Sequence, residues 1–223
     1  MDIRKCLWLF LLCFLSAPSL PAQRNYIDIP NYILCINSYA ESAPWSSRMI
    51  STISEYVQKD SQLAMYAEHM NTLMTDNDSI LEDFKNMISQ KYSQPRPRLL
   101  VLLGSPAFTL RDEYRKFWGD IPVILCSEED FLGPQKSYFR KQAIAPADRI
   151  PMSQFADPYN MVFLYSNLYL RENVQLINHI NPNLKKFIFI GDEREINLSN
   201  NLDIEDELKT SHPHIEYQFI TPK

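Results

Sequence analysis

The sequence predicts an α/β protein in which parallel β-sheets are flanked by helices. Five short apolar runs are separated by polar turns and helix-like stretches, as in successive βαβ units. In chain order they are residues 32–36 (YILCI), 99–103 (LLVLL), 121–125 (IPVIL), 161–165 (MVFLY) and 187–190 (FIFI). Because these runs are apolar throughout and do not alternate, we expect strands that are covered on both faces, which is typical of parallel sheets. Ligands of such sheets bind at the carboxyl ends of the strands.

The first half of the chain is predicted to form one lobe from three of these strands, an edge strand and three helices. Pro44 suits the first turn of a helix, and apolar residues recur after it at helical spacing. Residues 63–69 alternate more, which indicates the edge strand. Apolar stripes over residues 80–92 and 107–117 predict two further helices. We place this first α/β lobe at residues 28–132.

The second half is predicted to form a smaller lobe. Residues 133–158 are rich in Pro, Lys, Arg and Gln and have no sustained period, so we interpret them as a crossover between two lobes. Residues 159–223 then supply three strands, a helix over 170–180 and a weak helix near 202–208. Such a thin sheet has an unpaired edge, which folded proteins avoid. We therefore expect the second lobe to be incomplete, and the chain to be a fragment that is less stable than a longer one.

Residues 1–22 are predicted to be a signal peptide. Arg4 and Lys5 precede a wholly apolar stretch, residues 6–15, and small residues follow it. That stretch is shorter than the roughly 20 residues that span a bilayer, which argues against a membrane anchor. Cleavage after Ala17 and cleavage after Ala22 both fit. The predicted location of the mature chain is the periplasm.

The charge and the cysteines exclude two classes of protein. The net charge is −5 and no basic stripe occurs, which argues against binding to nucleic acid. After loss of the signal peptide only Cys35 and Cys126 remain. We expect another strand between their two strands, which puts them about 10 Å apart. A disulfide requires Cα atoms within about 7 Å, so we predict two buried free thiols and no disulfide framework.

Enzyme motifs are mostly absent from the sequence. None of the four glycines lies in a phosphate-binding loop, and the chain has no nucleophile elbow, HExxH or CxxC motif. We therefore predict no catalytic residue, no cofactor and no metal site. Residues 192–195 follow a strand, where ligand groups gather, but we interpret them as a solvated loop. His212 and His214 flank a proline and are interpreted as an exposed turn.

The candidate ligand-binding residues all lie at predicted carboxyl ends of strands or at the start of the following helix. A hydroxyl or aromatic group at these positions faces the expected crevice, and the start of the helix at Ser105 favours an anion. The candidates are Ser38, Tyr39, Trp45, Gly104, Ser105, Ser127, Glu128, Ser166 and Asn167. Each is also an ordinary cap or turn residue, and Trp45 could equally pack beneath its own helix.

Several of these segments resemble the substrate-binding proteins of ABC transporters, a type of periplasmic binding protein. The similar segments are YILCINSYAESAPWSSRMISTI, AEHMNT, RLLVLLGSPAF, IPVILCSEED and LYSNLYLRENVQLINHINPNLKKFIFIGD. They are similar to the family's "NSY…W" segment, its "MDT" after the second strand, its "PVVFCG"-like fourth strand and its later "P.LKKI" and "IGD". The resemblance covers nearly all of the mature chain. It implies a bilobed, type I periplasmic-binding-like fold with a small molecule between the lobes.

Domains of this kind also form the periplasmic sensors of hybrid histidine kinases, and this chain is most similar to those. The resemblance implies an extracytoplasmic sensor of a two-component system, joined to a C-terminal transmembrane and kinase region that this chain lacks. The chain itself would bind ligand without being an enzyme. We also consider a homodimer. The alternatives are a free-standing solute-binding protein that serves a permease and, from another class, a flavodoxin-like hydrolase or transferase. The sequence does not identify the ligand.

Overall fold

The computed structural model describes residues 30–72 and 78–221, so the predicted signal peptide lies outside the described residues. The strands are β1 (Tyr32–Asn37), β2 (Ala64–His69), β3 (Leu99–Leu103), β4 (Val123–Ser127), β5 (Phe131–Leu132), β6 (Ile150–Pro151), β7 (Met161–Tyr165), β8 (Lys186–Ile190) and β9 (Glu216–Ile220). The helices are α1 (Pro44–Val57), α2 (Asp78–Lys91), α3 (Ser105–Phe108), α4 (Arg111–Trp118), α5 (Gln135–Phe139), α6 (Leu170–Ile180) and α7 (Glu195–Ser211).

The main sheet is parallel and has five strands in the order β2-β1-β3-β4-β7. Helices α2 and α4 cover one face, where Ile88, Tyr92 and Phe108 are fully buried. Helix α1 covers the other face, packing its apolar side against Cys35 and Val101. Coverage of both faces explains why β1 and β3 are apolar without alternation. The predicted α/β class with a helix-flanked parallel sheet is confirmed, as is the edge position of β2.

Strand β7 belongs to this main sheet, which corrects the predicted domain division. The sequence pattern predicts residues 159–223 as the second lobe, but β7 pairs in parallel with β4, from Val123 opposite Met161 to Ser127 opposite Tyr165. The apolar pattern of a strand predicts that it is buried but does not identify its neighbour. The smaller unit therefore begins after β7.

The segment between β4 and β7 packs onto the first core and is more than a crossover. It contains α5, a short antiparallel pair of β5 and β6, and two 3₁₀ turns, Pro146–Asp148 and Met152–Phe155. Tyr138, Ile144 and Met152 from this segment are buried in the main core. Because the buried apolar residues of this segment are isolated within irregular stretches, the sequence shows no helical or strand periodicity there.

The smaller unit consists of α6, β8, α7 and β9. Strands β8 and β9 are parallel, and one face of the pair packs on α6 and α7 around Val174, Ile204 and Leu208. On the other face Ile188 and Ile190 are 47% and 65% exposed. The expectation of cover on both faces is thus wrong for β8. It is also wrong for β7, where Val162 and Leu164 are exposed.

Helix α7 joins the smaller unit to the main core. It starts at Glu195 and has 17 residues, much longer than the weak helix predicted near 202–208. Ser199 Oγ accepts a hydrogen bond from the Ile144 backbone N–H at 2.9 Å. Arg149 and Asp203 form an ion pair at 2.9 Å. None of the described helices is both long and apolar enough to cross a membrane.

Candidate ligand cleft

The turns after β1, β3 and β4 pack on one another and leave little open space between them. Ser38 Oγ donates to the Gly104 carbonyl at 3.2 Å and accepts from the Ala107 N–H at 2.9 Å. The hydroxyls of Ser105 and Ser127 are 2.8 Å apart, and all three serines are buried. The Ala107 amide at the start of α3 is thus already used by Ser38, and the anion preference at Ser105 stays a prediction. These residues stabilise the turns at the carboxyl ends of β1, β3 and β4.

Tyr39 directly follows Ser38 of this network and contacts Trp45 of α1. Their rings meet edge-on with centroids 5.8 Å apart. Trp45 is half-buried and packs with α1 against the face of the sheet that contains Cys35 and Cys126. Tyr39 lines a small cavity of about 30 Å³ beside Glu195. The structure therefore supports the packing interpretation of Trp45.

A cleft of about 510 Å³ opens between the main sheet and the smaller unit. It lies between the carboxyl ends of β4 and β7 on one side and helices α6 and α7 on the other. Glu128 and Asn167 line it, so two of the nine predicted site residues are at the cleft, and exposed Ser166 adjoins it. The Ser166 N–H donates to the Ser127 carbonyl at 3.1 Å and holds the two strand ends together. Of the strand ends at which candidates were predicted, the cleft lies at those of β4 and β7 and not at those of β1 and β3.

Both arginines that line the cleft are already paired with carboxylates. Arg149 contacts Asp203 at 2.9 Å, and its Nε and Nη2 donate to the Ile144 carbonyl at 3.2 and 3.1 Å. Arg171 contacts Glu207 at 2.8 Å. These pairs fix the guanidinium groups and neutralise two of the carboxylates in the wall.

A pair of buried carboxyl groups includes one that lines the cleft, Glu129, and one that does not, Glu195. Glu129 follows β4 and Glu195 begins α7, and they are only 8% and 6% exposed. The Ser199 hydroxyl donates to Glu195 Oε1 at 2.8 Å. Burial and the neighbouring Glu195 raise the pKa of Glu129 well above its usual range. Burial raises the pKa of Glu195 to about 7. The pair therefore retains a proton near neutral pH.

Glu195 was missed by the sequence analysis, which interpreted residues 192–195 as a solvated loop. That interpretation holds for exposed Asp192 and Glu193 but is wrong for Glu195. One feature of the sequence could have indicated a role for Glu195. It begins a helix, where a carboxylate is favourable, and it precedes Ser199 by one helical turn. Burial against Glu129, 66 positions earlier in the chain, leaves no local trace in the sequence.

The cleft contains many carboxylates, but they are spread out. Within the two described ranges no three His, Cys, Asp or Glu side chains are grouped so that they could hold a metal ion. Glu128 is partly buried, which raises the pKa of its carboxyl, while the nearby Arg194 lowers it. The arrangement is suited to binding a solute through dispersed polar contacts.

Comparisons with known proteins support the fold. The chain is similar to the structure of a conserved domain protein from Vibrio cholerae O1 biovar El Tor strain N16961, with a TM-score of 0.50 and 15% identity. The match covers 86% of this chain and 57% of that protein, so the chain spans little more than half of its length. A proposed transcriptional regulator from Clostridium difficile 630 matches with a TM-score of 0.44 and 9% identity over 87% of this chain and 51% of that one. No family model matches the chain, and no curated protein is similar to it in sequence.

At 15% identity the likeness to the Vibrio protein shows a shared α/β architecture and nothing about activity. The weaker match adds no argument. The resemblance to substrate-binding proteins remains a prediction from the sequence, although a parallel sheet with a second, smaller α/β unit is compatible with it.

Proposed function

We propose that this chain is a ligand-binding domain that holds a small molecule in the cleft between the main sheet and the smaller unit. The cleft itself is the observation that carries the proposal. It has a volume of about 510 Å³, lies at carboxyl ends of parallel strands, and takes its walls from both units. A ligand that contacts both walls stabilises whichever arrangement of the units it binds better.

The biological role that we propose is extracytoplasmic sensing for a two-component histidine kinase. The predicted signal peptide and the resemblance of the quoted segments to kinase sensor domains support this role. Ligand binding in the periplasm would then be transmitted through a transmembrane region to a kinase. The alternative is a free-standing solute-binding protein, which would use the same cleft and deliver its ligand to a permease. We also propose that the chain has no catalytic activity, because its sequence has no nucleophile elbow, HExxH or CxxC motif.

Binding at the cleft can be tested by thermal melts of the purified protein against a panel of amino acids, sugars, amines and nucleobases. We expect one chemical class to raise the melting temperature saturably. Tyr169 lines the cleft and is 56% exposed, so Tyr169→Ala should weaken binding of that class about threefold to tenfold. Tyr56→Ala is the matched control, because Tyr56 is 68% exposed on α1.

Two results would count against the proposal. If no compound shifts the melting temperature, the cleft is not a small-molecule site. If Tyr169→Ala and Tyr56→Ala behave alike toward a binding compound, the site is elsewhere. The DNA downstream of codon 223 distinguishes the sensor role from the carrier role. A reading frame that continues into an apolar span and a kinase supports the sensor. A stop codon beside permease genes supports the carrier.

A further inference from the structure

The wall of the cleft is strongly acidic. Seven carboxyl groups line it, against two guanidinium groups, and both guanidinium groups are held in ion pairs with Asp203 and Glu207. The remaining acidic side chains make no ion pair with any other described residue. They are Glu128, Glu129, Asp130, Glu172 and Asp206. Of these, Glu128, Asp130, Glu172 and Asp206 come from three segments of the chain, and an anionic ligand would meet their negative charge.

One carboxyl oxygen of this wall is unsatisfied within the described part of the protein. Glu129 is 8% exposed and lines the cleft, and its Oε1 has no hydrogen-bond partner among the described residues. A buried polar atom without a partner is costly, so native proteins retain one chiefly where something else binds it. At the wall of a cleft, that position suits a hydrogen-bond donor on a ligand.

The spacing of the carboxylates distinguishes between kinds of cation. A metal ion needs several oxygen ligands converging on one point, and among residues 30–72 and 78–221 no three acidic, histidine or cysteine side chains converge in this way. Carboxylates that are spread along a cleft instead suit a ligand whose positive charges are spread along a carbon chain. Exposed apolar surface lies between them: Tyr165, Leu168 and Tyr169 are 52%, 41% and 56% exposed.

We infer that the ligand of this cleft is an organic polycation, an amine with two or more ammonium groups separated by carbon chain. This inference rests on the proposed ligand-binding function and specifies its ligand class. The ammonium groups pair with Glu128 and Asp206, and Glu129 Oε1 accepts a hydrogen bond from one of them. The carbon chain lies against Tyr165 and Tyr169. Aromatic faces also attract ammonium groups directly.

The test is calorimetric titration of the purified protein with spermidine and with putrescine, and with sodium chloride at matched ionic strength as a blank. We expect saturable 1:1 binding of spermidine that is tighter than binding of putrescine and weakens with added salt. The double variant Glu128→Gln/Asp206→Asn should weaken spermidine binding about tenfold. Glu41→Gln/Glu55→Gln is the matched control, since it removes the same charge from exposed positions outside the cleft. Its affinity should be unchanged.

Single variants keep the test valid if the double variant unfolds. Asp206 and Glu172 are exposed, so Asp206→Asn and Glu172→Gln should fold, and each should weaken binding about threefold. The inference is overturned if spermidine does not bind, or if the cleft and control variants weaken it equally. It is also overturned, with the proposed function intact, if a neutral or anionic compound of the panel binds and Tyr169→Ala weakens that binding. If no compound of any class binds, the proposed function fails as well.

Discussion

The carboxyl groups of Glu129 and Glu195 lie together out of solvent, joining the carboxyl end of β4 to the first turn of α7. They come from different units of the fold, so their protonation is linked to how the units pack. Two buried carboxylates cannot both be charged at low cost, and here burial raises the pKa of each. Nearby Arg149 offsets part of this effect, and Glu128 adds to it for Glu195.

The first prediction concerns the dependence of stability on pH. The pKa of Glu195 is about 7 in the folded protein and near 4.5 otherwise, so between these values the folded state keeps a proton that the unfolded state releases. The free energy of unfolding should therefore fall as the pH rises from about 4.5 to above 7. With about 1.4 kcal/mol per pKa unit, we expect a loss of about 1–3 kcal/mol. Denaturant titrations at a series of pH values measure it.

The variant Glu195→Gln should flatten this pH dependence and leave the Ser199 hydrogen bond possible, since the amide oxygen still accepts. Glu193→Gln is the control, because Glu193 is exposed only two residues earlier. It should retain the pH dependence of the wild type. Identical pH profiles for the wild type and Glu195→Gln would show that Glu195 titrates normally.

The second prediction concerns the thiols. Cys35 and Cys126 are both free and buried, on strands separated by β3, as expected from the sequence. Burial and the nearby Cys126 raise the pKa of Cys35 to about 12, and burial raises that of Cys126. Since the thiolate is the reactive form, both should resist alkylation at pH 7.5 and react fully in denaturant. Peptide mass spectrometry after labelling measures this, and a Cys35–Cys126 disulfide would contradict the strand order.

The third prediction concerns Gly104. Its φ is +90°, and a Cβ there would lie 2.8 Å from Ser38 Oγ and 2.9 Å from the Tyr39 hydroxyl. Gly104→Ala should therefore combine backbone strain with a clash and destabilise the protein by about 2–4 kcal/mol. Gly119→Ala is a matched control with a similar φ of +73° but its nearest atom 3.7 Å away, and we expect about 1 kcal/mol. Equal losses in denaturant unfolding would show that crowding at Gly104 is unimportant.

The fourth prediction concerns Trp45. The indole packs beside Met49 and Ile53 of α1 on the main sheet, so Trp45→Ala should lower the free energy of unfolding by about 2–3 kcal/mol. Spermidine affinity, measured below the melting temperature of the variant, should be unchanged. Tyr56→Ala on the exposed side of the same helix should cost under about 0.5 kcal/mol. Weakened ligand binding with unchanged stability in Trp45→Ala would restore the binding role expected from the sequence.

The central strands and their helices could be predicted from sequence because their burial has a local pattern. Strands β1 and β3 are apolar nearly throughout since helices cover both faces, and the apolar stripe along α2, which includes Ile88, marks the side that faces the core. The free state of Cys35 and Cys126 followed from the same strand assignment. Such patterns repeat within a few residues, so a single segment carries them.

Tertiary structure alone decided which elements meet. Strand β7 has the apolar pattern of any strand, and only its pairing with β4 put it in the main sheet and placed Tyr165 at the cleft. Glu195 has the sequence context of a solvated helix start, yet it is buried because α7 packs against the turn after β4. The sequence pattern around a residue predicts whether its side chain is buried. Which residues it contacts depends on how distant segments pack together. Glu128 and Asn167 could be predicted because they directly follow strands, whereas the burial of Glu195 depends on a contact with a distant segment.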